Sequence, residues 1–101
     1  MAQFKEKDRL FFTADPHFYH DAIIDYCNRP FTEYQRYVDH NGYPHTYSTR
    51  LGAMNSILID KWNYTIPKDG IVFIVGDIVF TSKVEVIEEL LSKLNGKKYL
   101  I

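Results

Sequence analysis

Two short acidic segments carry the side chains of this chain that are best suited to chemistry. One is residues 15–20, with the sequence DPHFYH, and the other is the Gly-Asp pair at residues 76–77. A carboxylate and an imidazole two residues apart on an extended stretch reach one ion from the same side. Mixed oxygen and nitrogen ligands favour manganese, iron, nickel or zinc over calcium. Asp15, His17 and Asp77 are therefore predicted to bind a divalent metal.

Both segments directly follow runs of residues that are typical of buried strands. Leu10–Ala14 precedes the first segment and Ile71–Val75 precedes the second, and neither run alternates polar with apolar residues. Such continuous runs are typical of parallel strands that are covered on both faces. Ligands of open α/β sheets bind outside the carboxyl ends of the strands. The two segments are therefore expected to converge, although about sixty positions separate them.

The remaining elements complete an α/β pattern. Apolar residues at helical spacing predict helices over residues 49–64 and 83–94, and a shorter helix is expected near residues 21–27. Ser82 and Glu85 fit the S-x-x-E capping box at the start of the later helix. Residues 98–101 read as the start of a third strand. The order strand, helices, strand, helix, strand implies parallel pairing through right-handed crossovers.

Residues 33–49 are predicted to form an irregular insertion within a single partial domain that spans residues 1–101. Asn41-Gly42 is a hairpin-type dipeptide, but Pro44 weakens the second arm, so a bent hairpin is the most regular structure expected. The tyrosines of this segment either stack on a base or pack as ordinary loop residues. His40 and His45 are expected to be solvated.

Composition excludes several classes of protein. Twelve Lys and Arg against thirteen Asp and Glu, without a basic run, argue against a dedicated nucleic-acid module. Cys27 is the single cysteine, which excludes an intramolecular disulfide and a thiolate zinc cage. No apolar run approaches the ~20 residues that span a bilayer, and the first ten residues lack the apolar core of a secretory leader. A cytoplasmic setting without membrane contact is expected.

The sequence resembles the calcineurin-like metallophosphoesterases. TADPHFYHDAIIDYCNRPF is similar to the family's D-x-H-F-x-H segment with its following N-R-P-F, and MNSILIDKWN, IVFIVGD and LNGKKYLI are similar to later segments. The resemblance implies that Asp15 and His17 bind a first metal and that Asp77 bridges two. It implies that His20 touches metal-bound water or phosphate. Arg29 is implied to contact phosphate, or it simply pairs with a neighbouring carboxylate such as Asp25 or Glu33.

The same resemblance implies a fold and an activity. The fold is a parallel β-α-β-α-β portion of a four-layer sandwich, and the activity is hydrolysis of a phosphomonoester or phosphodiester by two ions of Mn²⁺, Fe²⁺, Ni²⁺ or Zn²⁺. A nucleotide is among the candidate substrates. The family's third motif, G-N-H-D or G-N-H-E, is expected to begin within a residue or two of Ile101. We therefore expect an incomplete site and little or no hydrolysis by the chain alone.

Two other classes of protein stay open at this stage. One is a metal-binding pseudoenzyme or an interaction module derived from the same fold. The other is a flavodoxin-like or nucleotide-binding α/β domain, although the sequence has no G-x-G-x-x-G and no P-loop. Because the covering layer of the sandwich is missing, exposed apolar surface is expected, covered by self-association or by a complementing chain.

Overall fold

The computed structural model describes residues 5–7 and 10–101, and its side chains from Leu10 onward. The expectation of no secretory leader falls largely on residues outside this description. The strands are β1 (Lys5–Lys7), β2 (Leu10–Ala14), β3 (Gln35–Val38), β4 (Pro44–Tyr47), β5 (Ile71–Val75) and β6 (Lys97–Leu100). The helices are α1 (Ala22–Tyr26), α2 (Arg50–Thr65) and α3 (Val84–Lys93). Among the described residues, no helix is long and apolar enough to cross a membrane.

The main sheet has four strands in the order β1-β2-β5-β6. β2, β5 and β6 are parallel, which confirms the predicted α/β class and the pairing of the three apolar runs. β1 adds an antiparallel edge strand beside β2, which the sequence analysis did not predict. Its sequence is Lys-Glu-Lys, so it carries no apolar pattern from which a strand is recognised.

The two faces of the sheet differ sharply in burial. β2, β5 and β6 follow one another in a single direction across the sheet, so right-handed connections place α2 and α3 on the same face. On that face Phe11, Val72 and Ile74 are buried, and the core is completed mainly by α2 and α3. On the other face Phe12 is 42% exposed and Tyr99 is 41% exposed. The continuous apolar runs are typical of strands covered on both faces, but within the described part of this chain one face lacks a covering layer.

A row of aromatic rings runs across the open face. Phe12 stacks on Phe73 with ring centroids 5.4 Å apart, and Phe73 stacks on Tyr99 at 5.6 Å. These three residues lie on β2, β5 and β6 at matching positions of the register. The exposed apolar surface expected from the sequence is present, and it follows from the order of the crossovers.

The predicted helices are present, with differences at their ends. α2 begins at Arg50, where the Thr49 hydroxyl accepts a hydrogen bond from the Gly52 amide at 3.0 Å. α3 begins at Val84 with Lys83 as its N-cap, and the Lys83 amide donates to the Thr81 hydroxyl at 3.2 Å. The capping box predicted from Ser82 is therefore wrong, because the helix starts one residue later than that box requires.

Residues 33–49 are more regular than predicted. β3 and β4 form an antiparallel hairpin in which Gln35 pairs with Tyr47 and Val38 pairs with Pro44. Pro44 is the first residue of β4, a position that tolerates a missing amide donor. The Asp39 carboxylate accepts the amides at positions 41 and 43 and thereby organises the turn. This side-chain support is the reason that the segment is a hairpin rather than an irregular excursion.

Substitutions on the two faces of the sheet are expected to differ in cost. Ile74→Ala leaves a cavity in the core and is expected to lower the free energy of unfolding by about 2–5 kcal/mol. Tyr99→Ala on the open face is expected to cost less than about 1 kcal/mol. Denaturation in urea measures both changes. Equal losses would contradict a bare second face.

Candidate metal centre

The pairing of β2 with β5 continues into the loops that follow the two strands. The Asp15 amide donates to the Val75 carbonyl at 2.9 Å, and the His17 amide donates to the Asp77 carbonyl at 3.1 Å. An isolated bridge between Phe18 and residue 79 extends this contact further. These backbone hydrogen bonds hold the two acidic segments side by side at the carboxyl edge of the sheet.

Asp15, His17 and Asp77 converge as the sequence predicts. Each offers one ligand atom, and the three atoms all lie within 4.8 Å of one another. The two aspartates are exposed and the histidine is half-buried. The Asp77 amide also donates to Oδ1 of Asp15 at 2.8 Å, which fixes the orientation of that carboxylate. Two carboxylates and an imidazole form a donor set that suits a borderline divalent ion.

The backbone of the first segment is not extended, contrary to the sequence prediction. Asp15, His17 and Tyr19 have φ angles of 48°, 56° and 63°. Pro16 therefore does not hold Asp15 in an extended conformation. Left-handed conformations cost roughly 1–2 kcal/mol per residue, and they cluster at functional sites where surrounding contacts maintain them. The ligands converge through a folded loop whose strain the pairing with the second loop offsets.

Arg29 supports this loop from the inside. Its side chain is buried, with 6% exposure, and its guanidinium donates to the Pro16 carbonyl at 2.7 Å and the Asp15 carbonyl at 3.1 Å. Burial lowers the pKa of Arg29. The predicted phosphate contact of Arg29 stays a prediction, and in this structure two of its donors bind backbone carbonyls of the loop. Pairing with Asp25 is wrong, since that carboxylate binds Arg50 at 2.8 Å.

His20 contacts the candidate centre through His17. The Nδ1 atoms of the two rings are 3.2 Å apart, so one ring donates and the other accepts. When His17 donates from Nδ1, its Nε2 lone pair is left for a metal, which is the usual way in which a neighbour orients a ligating imidazole. His20 also stacks on Phe80 with ring centroids 4.5 Å apart. Its predicted contact with metal-bound water or phosphate stays a prediction.

Asn55 is a supporting residue that the sequence analysis missed. Its side-chain oxygen accepts a hydrogen bond from the Tyr19 amide at 2.9 Å and so ties the strained loop to α2. The available signal was an asparagine in the interior of a helix, where this residue type is unfavourable unless its side chain has another partner.

Gly76 is required by the contact between the two loops. Its φ angle is +82°, and a Cβ atom at this position would lie 1.8 Å from Oδ1 of Asp15. The glycine lets the Asp15 carboxylate approach the backbone closely enough to accept the Asp77 amide.

Comparison with known proteins identifies a curated relative of the chain. The chain is 32% identical over 90 residues to an uncharacterized protein of Methanocaldococcus jannaschii, and the match covers 88% of this chain and 42% of the relative. The chain therefore spans less than half the length of that relative. No model of a known protein family matches the chain, and no solved structure matches it.

Gly76→Ala is expected to destabilise the protein more than Gly42→Ala. Both glycines have positive φ, so each alanine incurs the left-handed penalty of roughly 1–2 kcal/mol. A Cβ atom at position 42 meets no atom within 4 Å, whereas one at position 76 displaces the Asp15 carboxylate. Denaturation midpoints compare the two variants, and the Asp77 amide resonance reports the lost hydrogen bond. Equal destabilisation with an unchanged Asp77 resonance would contradict the close approach.

Proposed function

We propose that this chain forms the metal-holding part of a phosphoesterase, an enzyme that hydrolyses a phosphomonoester or phosphodiester with divalent metal ions. The observation that carries the proposal is the convergence of Asp15, His17 and Asp77 within 4.8 Å at the carboxyl edge of a parallel sheet. The similarity of the sequence motifs to those of calcineurin-like metallophosphoesterases supports the same proposal. In this proposal the fold is the N-terminal portion of that family's four-layer sandwich.

The side chains have distinct roles in this proposal. Asp15 and His17 would hold the first ion, and Asp77, on the neighbouring loop, would supply a further carboxylate ligand. When bound, manganese, iron, nickel or zinc would orient the phosphate and lower the pKa of a bound water. His20 keeps the His17 ring in place through the Nδ1 contact at 3.2 Å. Arg29 acts as a positioning residue that holds the ligand loop.

The number of candidate metal ligands leads us to expect weak hydrolysis. Among the described residues, Asp15, His17 and Asp77 form a group of three candidate ligands, which suits one ion better than two. Stabilisation of a phosphoryl transition state in a two-metal centre depends on both ions. We therefore expect firm binding of one ion and at most slow turnover by this chain.

A metal-binding module without catalysis is the second candidate function. The open face of the sheet favours it, because an exposed aromatic row is a feature of surfaces that contact other polypeptides. In this alternative the ion stabilises the two loops and the sheet face provides the interaction. The two candidates share the metal ligands and differ in whether phosphoester is cleaved.

Titration with Mn²⁺ tests the shared part of both candidates. One equivalent is expected to bind, and Asp77→Asn is expected to weaken binding on the order of 100-fold because a ligand oxygen and its charge are lost. Glu88→Gln is the matched control, since it removes a carboxylate charge from α3 without touching the two loops. Isothermal titration calorimetry measures all three proteins. Absence of Mn²⁺ binding would refute both candidates.

Hydrolysis of bis(nitrophenyl) phosphate separates the candidates. Turnover that requires Mn²⁺ and is lost in Asp77→Asn, but not in Glu88→Gln, would identify a hydrolase. Binding of Mn²⁺ without turnover would identify the metal-binding module. Turnover that is equal in the wild type and Asp77→Asn would show that these ligands do not catalyse it.

The open sheet face is expected to be covered by a second copy or by a complementing chain. Phe12, Phe73 and Tyr99 form a contiguous apolar surface, and such patches mark contacts with other polypeptides. Light scattering is expected to show self-association of the isolated chain, and Phe73→Lys is expected to reduce it. A monomer that binds no dye for apolar surfaces would contradict this expectation.

A further inference from the structure

A cavity of about 530 Å³ lies between the β3–β4 hairpin and α2. Its volume is within the range of small-molecule sites, ~300–1,000 Å³. Phe18, Leu58 and Trp62 are buried core residues that contribute to its apolar lining. None of the three candidate metal ligands is among the residues that line it. The cavity adjoins the loop that carries His17, since Pro16 and Phe18 line it, but the candidate ligands themselves do not face it.

Asp60 organises the polar wall of this cavity. Its Oδ2 atom accepts the Tyr37 hydroxyl at 2.6 Å, and its Oδ1 atom lies 2.5 Å from Nδ1 of His40. The His40 amide also donates to both carboxylate oxygens at 3.3 Å. The expectation that His40 is only a solvated side chain is wrong. Three donors converge on one carboxylate, which docks the hairpin on α2.

The charge of Asp60 determines the direction of these hydrogen bonds. Burial acts to raise the pKa of Asp60, but the hydrogen bonds from Tyr37 and His40 outweigh it and lower the pKa below its ordinary value. Burial, reinforced by the contact with Asp60, raises the pKa of Tyr37. Asp60 is therefore an anion and Tyr37 a neutral phenol at neutral pH. Both Tyr37 and His40 direct a proton to the carboxylate.

These hydrogen bonds determine which polar atoms of Tyr37 and His40 can still bind a ligand. Once its hydroxyl proton is given to Asp60, Tyr37 has only oxygen lone pairs to offer. A neutral His40 that donates from Nδ1 has a bare Nε2, which is likewise an acceptor. The polar wall therefore presents acceptors and selects a ligand that carries hydrogen-bond donors.

The other residues that line the cavity indicate whether the ligand carries its donors on a planar ring or on a cation. Tyr64 lies beside His40 with ring centroids 5.7 Å apart, and its ring is exposed to the cavity. Flat aromatic walls favour a planar ligand. Lys61 and the Asp60 carboxylate both line the cavity, so their opposite charges leave no net preference for a cationic ligand. A planar ring with a neutral amino group satisfies both conditions.

We propose that the cavity between the hairpin and α2 binds an amino-substituted heteroaromatic ring of the aminopurine type, with its amine donating to Tyr37 and His40. The ring would lie against Val38 and Tyr64, the exposed apolar side chains of the lining. This site operates without a metal ion and does not depend on the proposed phosphoesterase function. It also gives the tyrosine-rich hairpin a role in recognition.

The test compares adenosine with inosine in the absence of divalent cations. Adenosine is expected to bind at least about tenfold more tightly, because the carbonyl of inosine sets an acceptor against the acceptors of the wall. Calorimetry measures the two affinities, and NMR shifts of the Tyr37, His40 and Tyr64 resonances locate the ligand. Equal affinities, or shifts confined to other residues, would overturn the proposal.

Three variants identify the groups responsible. Tyr37→Phe removes one of the two acceptors and is expected to reduce the preference for adenosine. Tyr43→Phe, an exposed hairpin tyrosine outside the lining, is the matched control and is expected to leave it unchanged. Tyr64→Ala leaves the Asp60 contacts intact and is expected to weaken both nucleosides equally. A full preference retained in Tyr37→Phe, or lost in Tyr43→Phe, would contradict the assignment.

Discussion

Backbone hydrogen bonding between the parallel strands β2 and β5 does not stop at the ends of the two strands. It continues through the loops beyond them, where the amides of Asp15 and His17 donate to carbonyls of the opposite loop. Side chains that are 62 positions apart in sequence are brought into contact by this continuation. The left-handed residues of the first loop persist because the opposite loop, Arg29 and Asn55 bind its backbone from three sides.

The same connectivity also produces an asymmetric domain. Two crossovers in one direction give the sheet a buried face against α2 and α3 and a face on which aromatic rings meet solvent. The hairpin is attached to the outer side of α2 through Asp60, and Asp39 pairs with His45 at 2.7 Å within it. The hydrogen bond from His45 is the main cause that lowers the pKa of Asp39. The helical side thus carries the hairpin, while the opposite face of the sheet exposes its aromatic rings.

Much of this arrangement was predictable from local sequence. The apolar runs identify β2, β5 and β6, helical spacing identifies α2 and α3, and the carboxyl-end rule brings Asp15, His17 and Asp77 together. The sequence does not predict which face of the sheet stays uncovered, because a run such as IVFIV has apolar side chains on both faces of the strand.

The roles of individual polar residues were also not predictable. An arginine that binds buried carbonyls and an arginine that binds phosphate look identical in sequence, so the hydrogen bonds of Arg29 to the Asp15 and Pro16 carbonyls were not predicted. The docking of His40 on Asp60 joins residues 20 positions apart and depends on how the hairpin lies on α2. Charged β1 carries no hydrophobic pattern at all. In each case the deciding contact is tertiary, and local spacing does not encode it.

The two glycines that bound β5 have a consequence for strand alignment. Since every residue of β5 is apolar, hydrophobicity alone would tolerate a slip of one position, which exchanges the two faces. A Cβ atom at Gly70 would lie 3.1 Å from the Phe11 ring, and one at Gly76 would collide with Asp15. A slipped strand would place Ile71 or Val75 at one of these two points. The absence of a Cβ atom at Gly70 and Gly76 thus disfavours a shifted register of β5 in the sheet.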